Sequence, residues 1–363
     1  MKGRHALMLG FGLGALTILG LVVFFNRAVF VTPSFTAGGD ATTTSSPSTS
    51  ASPSATPEVA TPGARAGAVL VYDPENKGVM MFGGAMVVHQ PDGTNPAVSL
   101  ADTWLWNGKR WERLDVQGPP ARSAAMAVYD SVRHVIVLFG GSGPQGIGQG
   151  LYFQDTWTWD GQQWQEQHPV HTPNPRMRAG MTFDERHGVV VMFGGEGETT
   201  YTATWTWNGA DWTLMDPATV PPARHFAGMA YDAARGVTVL FGGSLGGARL
   251  NDTWTWDGAN WTRQTGPAPT ASGWASLVYD AAIQRLVAYV YYALDNHPVA
   301  EYTITWDGTK WIDRTTPDDP SPRAETRMAY DPVSRQVILY GPTSETWVWD
   351  GSKWSLWEQA GGA

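Results

Sequence analysis

The chain has 363 residues, of which 19 are Trp, 42 Gly, 25 Pro and none Cys, and its formal net charge is -9. Without cysteine there are no disulfides, no thiolate metal centres and no lipid-carrying thiol. The acidic balance argues against a nucleic-acid partner, which needs a clustered basic face, and the length is above one average domain but suits a closed β architecture.

The N-terminus is unlike the rest. Lys2, Arg4 and His5 lie in a basic stub, residues 1–5, and an uncharged run of 20 residues follows from Ala6 to Phe25. Roughly 20 apolar residues let a helix cross the hydrocarbon core, whereas the apolar part of a cleaved signal peptide is usually roughly 7–15 residues long. The sequence therefore predicts a transmembrane signal anchor over 6–25. The positive residues ahead of it hold the N-terminus in the cytoplasm. The remainder then lies outside, as a single-pass protein of the cell membrane. Cleavage near Thr36-Ala37-Gly38, which would release a secreted protein, is the alternative.

Residues 26–62 form the next zone. Between 33 and 62, 14 of 30 positions are Ser or Thr and 5 are Pro. With so little to bury, this segment is predicted to be a disordered stalk. As a flexible coil it spans about 30 Å.

From 63 to 358 the chain repeats. Each copy opens on Arg and runs through an apolar stretch to an aromatic-Asp pair. A second apolar run ends in Phe-Gly-Gly; then come a variable loop, Trp-x-Trp, Asp-Gly or Asn-Gly, and a last Trp. The Trp-[Asp/Asn]-Gly marker falls at Trp106, Trp159, Trp207, Trp256, Trp306 and Trp349, with spacings of 53, 48, 49, 50 and 43 residues. There are six copies and no trace of a seventh.

Each copy reads as four short strands. In the second, strand A is Ser123 to Tyr129 and Asp130 to His134 make a tight turn. Strand B is the continuous apolar run Val135 to Phe139, and Gly140-Gly141 let the backbone leave it. Strand C is Asp155 to Trp159, Asp160-Gly161 begin a hairpin turn, and strand D carries Trp164. Four strands every 50 residues or so predict an all-β, six-bladed β-propeller. Its blades cover about 64–116, 117–168, 172–216, 219–265, 268–315 and 319–358. The chain starts on a strand A and ends on a strand D, so the ring closes without borrowing a strand.

The opening Arg, the Gly-Gly doublet after an apolar strand and the later Trp resemble the kelch-repeat family, whose propellers include the galactose-oxidase-like fold. Three Trp positions in six copies make 18 slots, of which 17 hold Trp; Ile304 is the exception. A buried Trp removes about 150–250 Å² from water, on the order of 4–6 kcal/mol gross. Six identical copies of the phrase read as scaffold rather than site.

Strand direction alternates, so the A–B and C–D turns share one face and the variable B–C and D–A connections share the other. Variable loops on a rigid frame are where binding sits. The opening arginines, Arg65, Arg122, Arg176, Arg224 and Arg323, lie on that loop face; Ser272 stands in the fifth copy. Two readings stand for them. They hold neighbouring loops through carbonyls, or they form an anion-recognising ring, since guanidinium pairs with carboxylates in bidentate fashion. The resemblance favours the ring, because similar kelch propellers hold acidic peptides with such arginines. Two residues further on, the copies diverge: Gly67, Ala124, Arg178, Phe226, Trp274 and Glu325. Divergence in an otherwise uniform repeat marks Arg178, Phe226, Trp274 and Glu325 as a candidate pocket wall, with drift at a loosely packed end as the alternative. The fifth copy also carries Val290-Tyr291 for Gly-Gly and adds Tyr289 and Tyr292, which makes it either degenerate or an aromatic patch.

No catalytic constellation, metal set or cofactor motif emerges. His168 and His171 lie in a Pro-rich connection without a third ligand, and there is no phosphate loop or nucleophile elbow. The copper radical oxidases of similar fold need a Cys joined to a Tyr, and this chain has no Cys. The sequence therefore predicts a membrane-tethered, extracytoplasmic binding module for a protein, acidic peptide or glycan. A sugar-acid epimerase or mutarotase-like enzyme using Glu325 and a non-catalytic scaffold are the alternatives.

Overall fold

A computed structural model describes residues 61–357, apart from 91–92, 145–150, 267–272, 293–299 and 322 and the side chains of 292, 300 and 301. The chain divides into two units, 1–56 and 57–363, and the described residues belong to the second. The predicted transmembrane helix, nearly all of the stalk and Ser272 lie outside the described residues. Among the described residues no helix is long and apolar enough to cross a membrane.

The second unit is a six-bladed β-propeller of four-stranded antiparallel blades. Blade 1 runs Val69–Asp73, Gly78–Phe82, Thr103–Trp106 and Trp111–Leu114, strands A to D from the axis outward. The other blades start on Met126–Asp130, Gly180–Asp184, Gly228–Asp232, Trp274–Asp280 and Arg327–Asp331 and follow the same order. Strand A of each blade adjoins strand A of the next, and that of blade 6 adjoins that of blade 1. The ring thus closes between two complete blades. In blade 2 strand A spans Met126–Asp130, where the repeat predicts Ser123 to Tyr129, and strand C spans Thr156–Trp159, where it predicts a start at Asp155. Ala124 takes a left-handed φ of 55°, which no strand accommodates.

Among the described residues there is no single central core. Six apolar clusters each occupy one seam between neighbouring blades, such as Val71, Met80, Ile136 and Trp159 between blades 1 and 2. The repeated aromatic phrase builds these seams. Its last two tryptophans face each other across the C–D hairpin, with ring centroids 5.3–5.6 Å apart. The strand D indole N–H then crosses the seam to a Thr of strand C in the preceding blade, the first residue of that strand except in blade 5. Trp164 donates to Thr103, Trp212 to Thr156, Trp261 to Thr204, Trp311 to Thr253 and Trp354 to Thr303. Trp111 donates to Thr346 Oγ1 over 3.0 Å and closes the circle. A buried indole N–H needs a partner, and the Thr supplies one at all six seams.

The face carrying the A–B turns has its own ties. The Asp that ends each strand A is buried, and in five blades its carboxylate caps the turn through the N–H groups that follow, as Asp130 does for Val132 and Arg133, whereas Asp232 accepts Arg235 Nη1. The residue three past that Asp reaches the next blade: Asn76 donates to Gly161 O over 2.8 Å, Arg133 to Gly188 O over 3.1 Å, and Arg235 to Asp307 O.

Blade 5 departs for a stated reason. Without a Gly-Gly exit its strand B continues to Tyr292 and its strand A starts early, so Trp274 pairs with Tyr291.

Candidate functional site

The opening arginines work inside their own blades. Arg65, Arg122, Arg176, Arg224 and Arg323 are 1–3 % exposed. Arg122 is typical. It donates to Gly140 O at the end of strand B (2.9 Å), to Pro120 O (3.0 Å) and to both oxygens of Asp155 before strand C (2.6 and 2.7 Å). Arg65 with Asp102 and Arg224 with Asp252 repeat this bidentate pair. Arg323 uses Glu345 at 2.9 Å. The same carboxylates also accept the first Trp of the phrase: Trp104, Trp157, Trp254 and Trp347 donate to Asp102, Asp155, Asp252 and Glu345. Burial works to raise the pKa of Asp102 and Asp252, but the bonds from Arg and Trp and the arginine charge outweigh it and hold both low. In blade 3 the acid is replaced by Ala203. Arg176 there keeps only Asn174 O and Gly194 O and lies over the Tyr201 ring at 4.1 Å. Burial pulls its pKa down to about 10, and Trp205 Nε1 is buried without an acceptor. This is the loop-holding arrangement. An anion-recognising ring would need open guanidinium edges; four of these five are paired with a carboxylate of their own blade, and Arg176 is buried over Tyr201.

The second set of sequence candidates is brought together at the axis. Gly67, Ala124, Arg178, Phe226 and Glu325 all adopt left-handed φ values of 55–64°. Their backbones form a belt around the mouth of the axis. Gly67 N donates to Glu325 O, Ala124 N to Gly67 O, Arg178 N to Ala124 O, Phe226 N to Arg178 O and Ala275 N to Phe226 O, over 2.7–3.2 Å. Trp274, already in its strand, is outside the left-handed set. Gly67 is required by close approach, because a Cβ there would lie 2.9 Å from Ala124 N and 3.0 Å from Glu325 Oε2.

The side chains of this belt divide the mouth in two. Blades 1 and 2 contribute only Gly67 and Ala124. Blades 3 to 6 contribute a continuous polar and aromatic wall. Arg178 reaches across the axis to Glu325 Oε1, from blade 3 to the opposite blade 6, and also bonds Glu196 Oε1. Its guanidinium lies over the Phe226 ring at 4.2 Å. Phe226 packs on Trp274 at 4.8 Å, and Trp274 stacks on Tyr291 at 4.9 Å with planes 12° apart. His225 Nδ1 lies 2.8 Å from Glu196 Oε2. Burial acts to raise the Glu196 pKa, but His225 and Arg178 prevail and lower it.

Behind the belt is the central cavity, open at its mouth. Val69, Leu70, Ala125 and Met126 line one side, and Arg178, Phe226, Trp274, Tyr291, Glu325 and Arg327 line the other. Arg327 was not among the sequence candidates. It opens strand A of blade 6, where the other copies have Val69, Met126, Gly180, Gly228 and Ser276, and superposing the repeats would have exposed it. Its one hydrogen bond goes to Thr326 O at 3.1 Å, and no ion pair engages it among the described residues. It is half-buried, its open surface facing the cavity. Desolvation lowers its pKa, with Glu325 opposing and Arg178 adding to the effect.

Among the described residues no group of three possible metal ligands includes His168 or His171. His171 pins its connection to Asp211 through its backbone N and Nδ1, both at 2.7 Å. No known protein-family model matches the chain, and no curated protein matches its sequence.

Proposed function

We propose that this propeller is a binding module whose ligand enters the central cavity at the Arg178–Glu325 mouth, with a glycan as the best-fitting ligand. One observation carries this reading. Phe226, Trp274 and Tyr291 form a continuous aromatic surface beside a set of fixed polar groups, on a belt held by backbone hydrogen bonds. Aromatic faces with a few convergent polar groups in a concave site are the usual means of holding a small ligand, and sugar rings offer both an apolar face and hydroxyls. The resemblance to kelch propellers agrees with a binding role, although fold alone does not assign one. The basic stub and the uncharged run 6–25 support a membrane anchor, which would display the module outside the cytoplasm on its Ser/Thr/Pro-rich stalk.

The test is the melting temperature of the full chain with neutral and acidic oligosaccharides and with acidic peptides. A ligand of the folded state raises it. The expected result is a shift with oligosaccharides that disappears in Trp274→Ala and Phe226→Ala. A shift with peptides alone, or one indifferent to both substitutions, would refute the glycan reading. Catalysis at Glu325 is a second reading, favoured by a carboxylate at the cavity mouth beside Arg178; it predicts turnover of a sugar acid that is lost in Glu325→Gln.

A further inference from the structure

We infer that Glu325 is an internal occupant of a carboxylate-binding position, and that the ligand of this cavity is an acidic sugar whose carboxylate displaces it from Arg178. The inference rests on the glycan-binding reading and adds the ligand's charge and the contact it must break. In a six-bladed ring blades 3 and 6 face each other, so the Arg178–Glu325 pair lies across the entrance to the cavity rather than along its wall. Both side chains are only about a tenth exposed, at 9 % and 10 %.

Nothing in the repeat requires this bar. The corresponding residues in blades 1 and 2 are Gly and Ala, and the same belt passes through them with the same backbone bonds. Glu325 also fits closely where it lies, with Oε2 against the space left by the missing side chain of Gly67. Arg178 stays fixed without it, because Glu196 holds Nη1 and the Phe226 ring supports its face. Removal of Glu325 would therefore leave a buried guanidinium edge in place and unpaired, an arrangement that recruits a carboxylate strongly.

Arg327 supplies the second half of the position. It faces the same cavity, two residues from Glu325, with a backbone carbonyl as its one partner. A ligand carboxylate that replaces that of Glu325 meets Arg178 and comes within the field of Arg327. Its sugar ring then lies towards the Phe226, Trp274 and Tyr291 surface.

The experiment uses the full chain and oligosaccharides ending in a hexuronic acid, each paired with its carboxyl-reduced counterpart. Titration calorimetry gives the affinities of wild type, Glu325→Gln, Arg327→Met and Trp274→Ala, and a melt of each variant reports folding. The expected result is that the acidic form binds wild type, binds Glu325→Gln about tenfold more tightly and binds Arg327→Met at least tenfold more weakly. The reduced form should be indifferent to Glu325→Gln. Unchanged or weaker binding of the acidic form by a folded Glu325→Gln overturns the inference. Equal binding of both forms that is lost in Trp274→Ala also overturns it while leaving the glycan reading standing. Absence of binding by either form overturns the two together.

Discussion

Blade 3 lacks a carboxylate that its neighbours possess, and restoring it should stabilise the propeller. In blades 1, 2 and 4 one Asp accepts from Nη1 and Nη2 of the opening Arg and from the first indole N–H of the phrase. In blade 3 Ala203 leaves Arg176 buried without an anion and Trp205 Nε1 without an acceptor. An Asp at 203 would satisfy the orphaned indole, about 1–3 kcal/mol, and give the guanidinium charge-assisted bonds of about 1.5–3 kcal/mol. Desolvation of the new carboxylate costs several kcal/mol when complete. It is incomplete here, since the equivalent Asp side chains keep 9–19 % of their surface exposed. Tyr201 is no obstacle, because blade 2 holds Arg122 over Phe153 at 4.0 Å and pairs it with Asp155 as well. The net gain for Ala203→Asp is about 2 kcal/mol. With about 2 cal/mol/K of unfolding entropy per residue and a domain of about 300 residues, that raises the melting temperature by about 3 °C. The sign with pH follows from Asp102 and Asp252, whose folded pKa values are depressed. Such a group stabilises above its unfolded value near 4 and loses that effect as pH falls through the folded value. The gain should thus be present at pH 7 and shrink below about pH 4. Calorimetry at both pH values, with Asp155→Ala as the opposite control, decides the matter. An Ala203→Asp protein that melts at or below wild type at pH 7 would refute the reasoning.

Wild-type stability should itself fall in acid, because Asp102, Asp252, Glu196 and Glu345 all have lowered pKa values; an acid titration followed by circular dichroism should show the loss below about pH 4, with a shallower slope in Asp102→Asn. Thr346→Val leaves the Trp111 indole buried and unpaired at the closing seam, which should cost about 1–3 kcal/mol in a denaturant titration. Gly67→Ala should destabilise by about 1–2 kcal/mol through crowding at Ala124 N and Glu325. Ala124 occupies the same left-handed region, so a gain of similar size from Ala124→Gly would assign the loss to backbone strain and contradict the steric account.

The blades were legible because their signals are local and repeated: apolar alternation, Asp and Gly turns, and tryptophans at fixed offsets. The seam partner of the last Trp was not, because Trp164 and Thr103 are 61 residues apart and the Thr reads as an ordinary strand residue. The Arg–Asp pairs were hidden in the same way: Asp155 is 33 residues from Arg122 and merges with the aromatic phrase. The divergent set at 67, 124, 178, 226, 274 and 325 was found by comparing copies. Its left-handed backbone was not, since Arg, Phe and Glu give no hint of positive φ. Arg327, His225 and Glu196 carry no signal of their own in the sequence, since each lies beside a repeat residue in a strand or loop.

The closing seam has consequences for how this ring could be cut and extended. Blades 6 and 1 meet through the indole-to-Thr bond that joins every other pair, here Trp111 to Thr346, and also through Tyr340 OH to Gly63 O, and no strand is shared between them. A circular permutant opened at any strand D to strand A connection, with the old ends joined by a linker, should therefore meet no topological penalty. By the same logic, duplication of one unit of about 50 residues would insert a whole blade without disturbing the strand order of its neighbours.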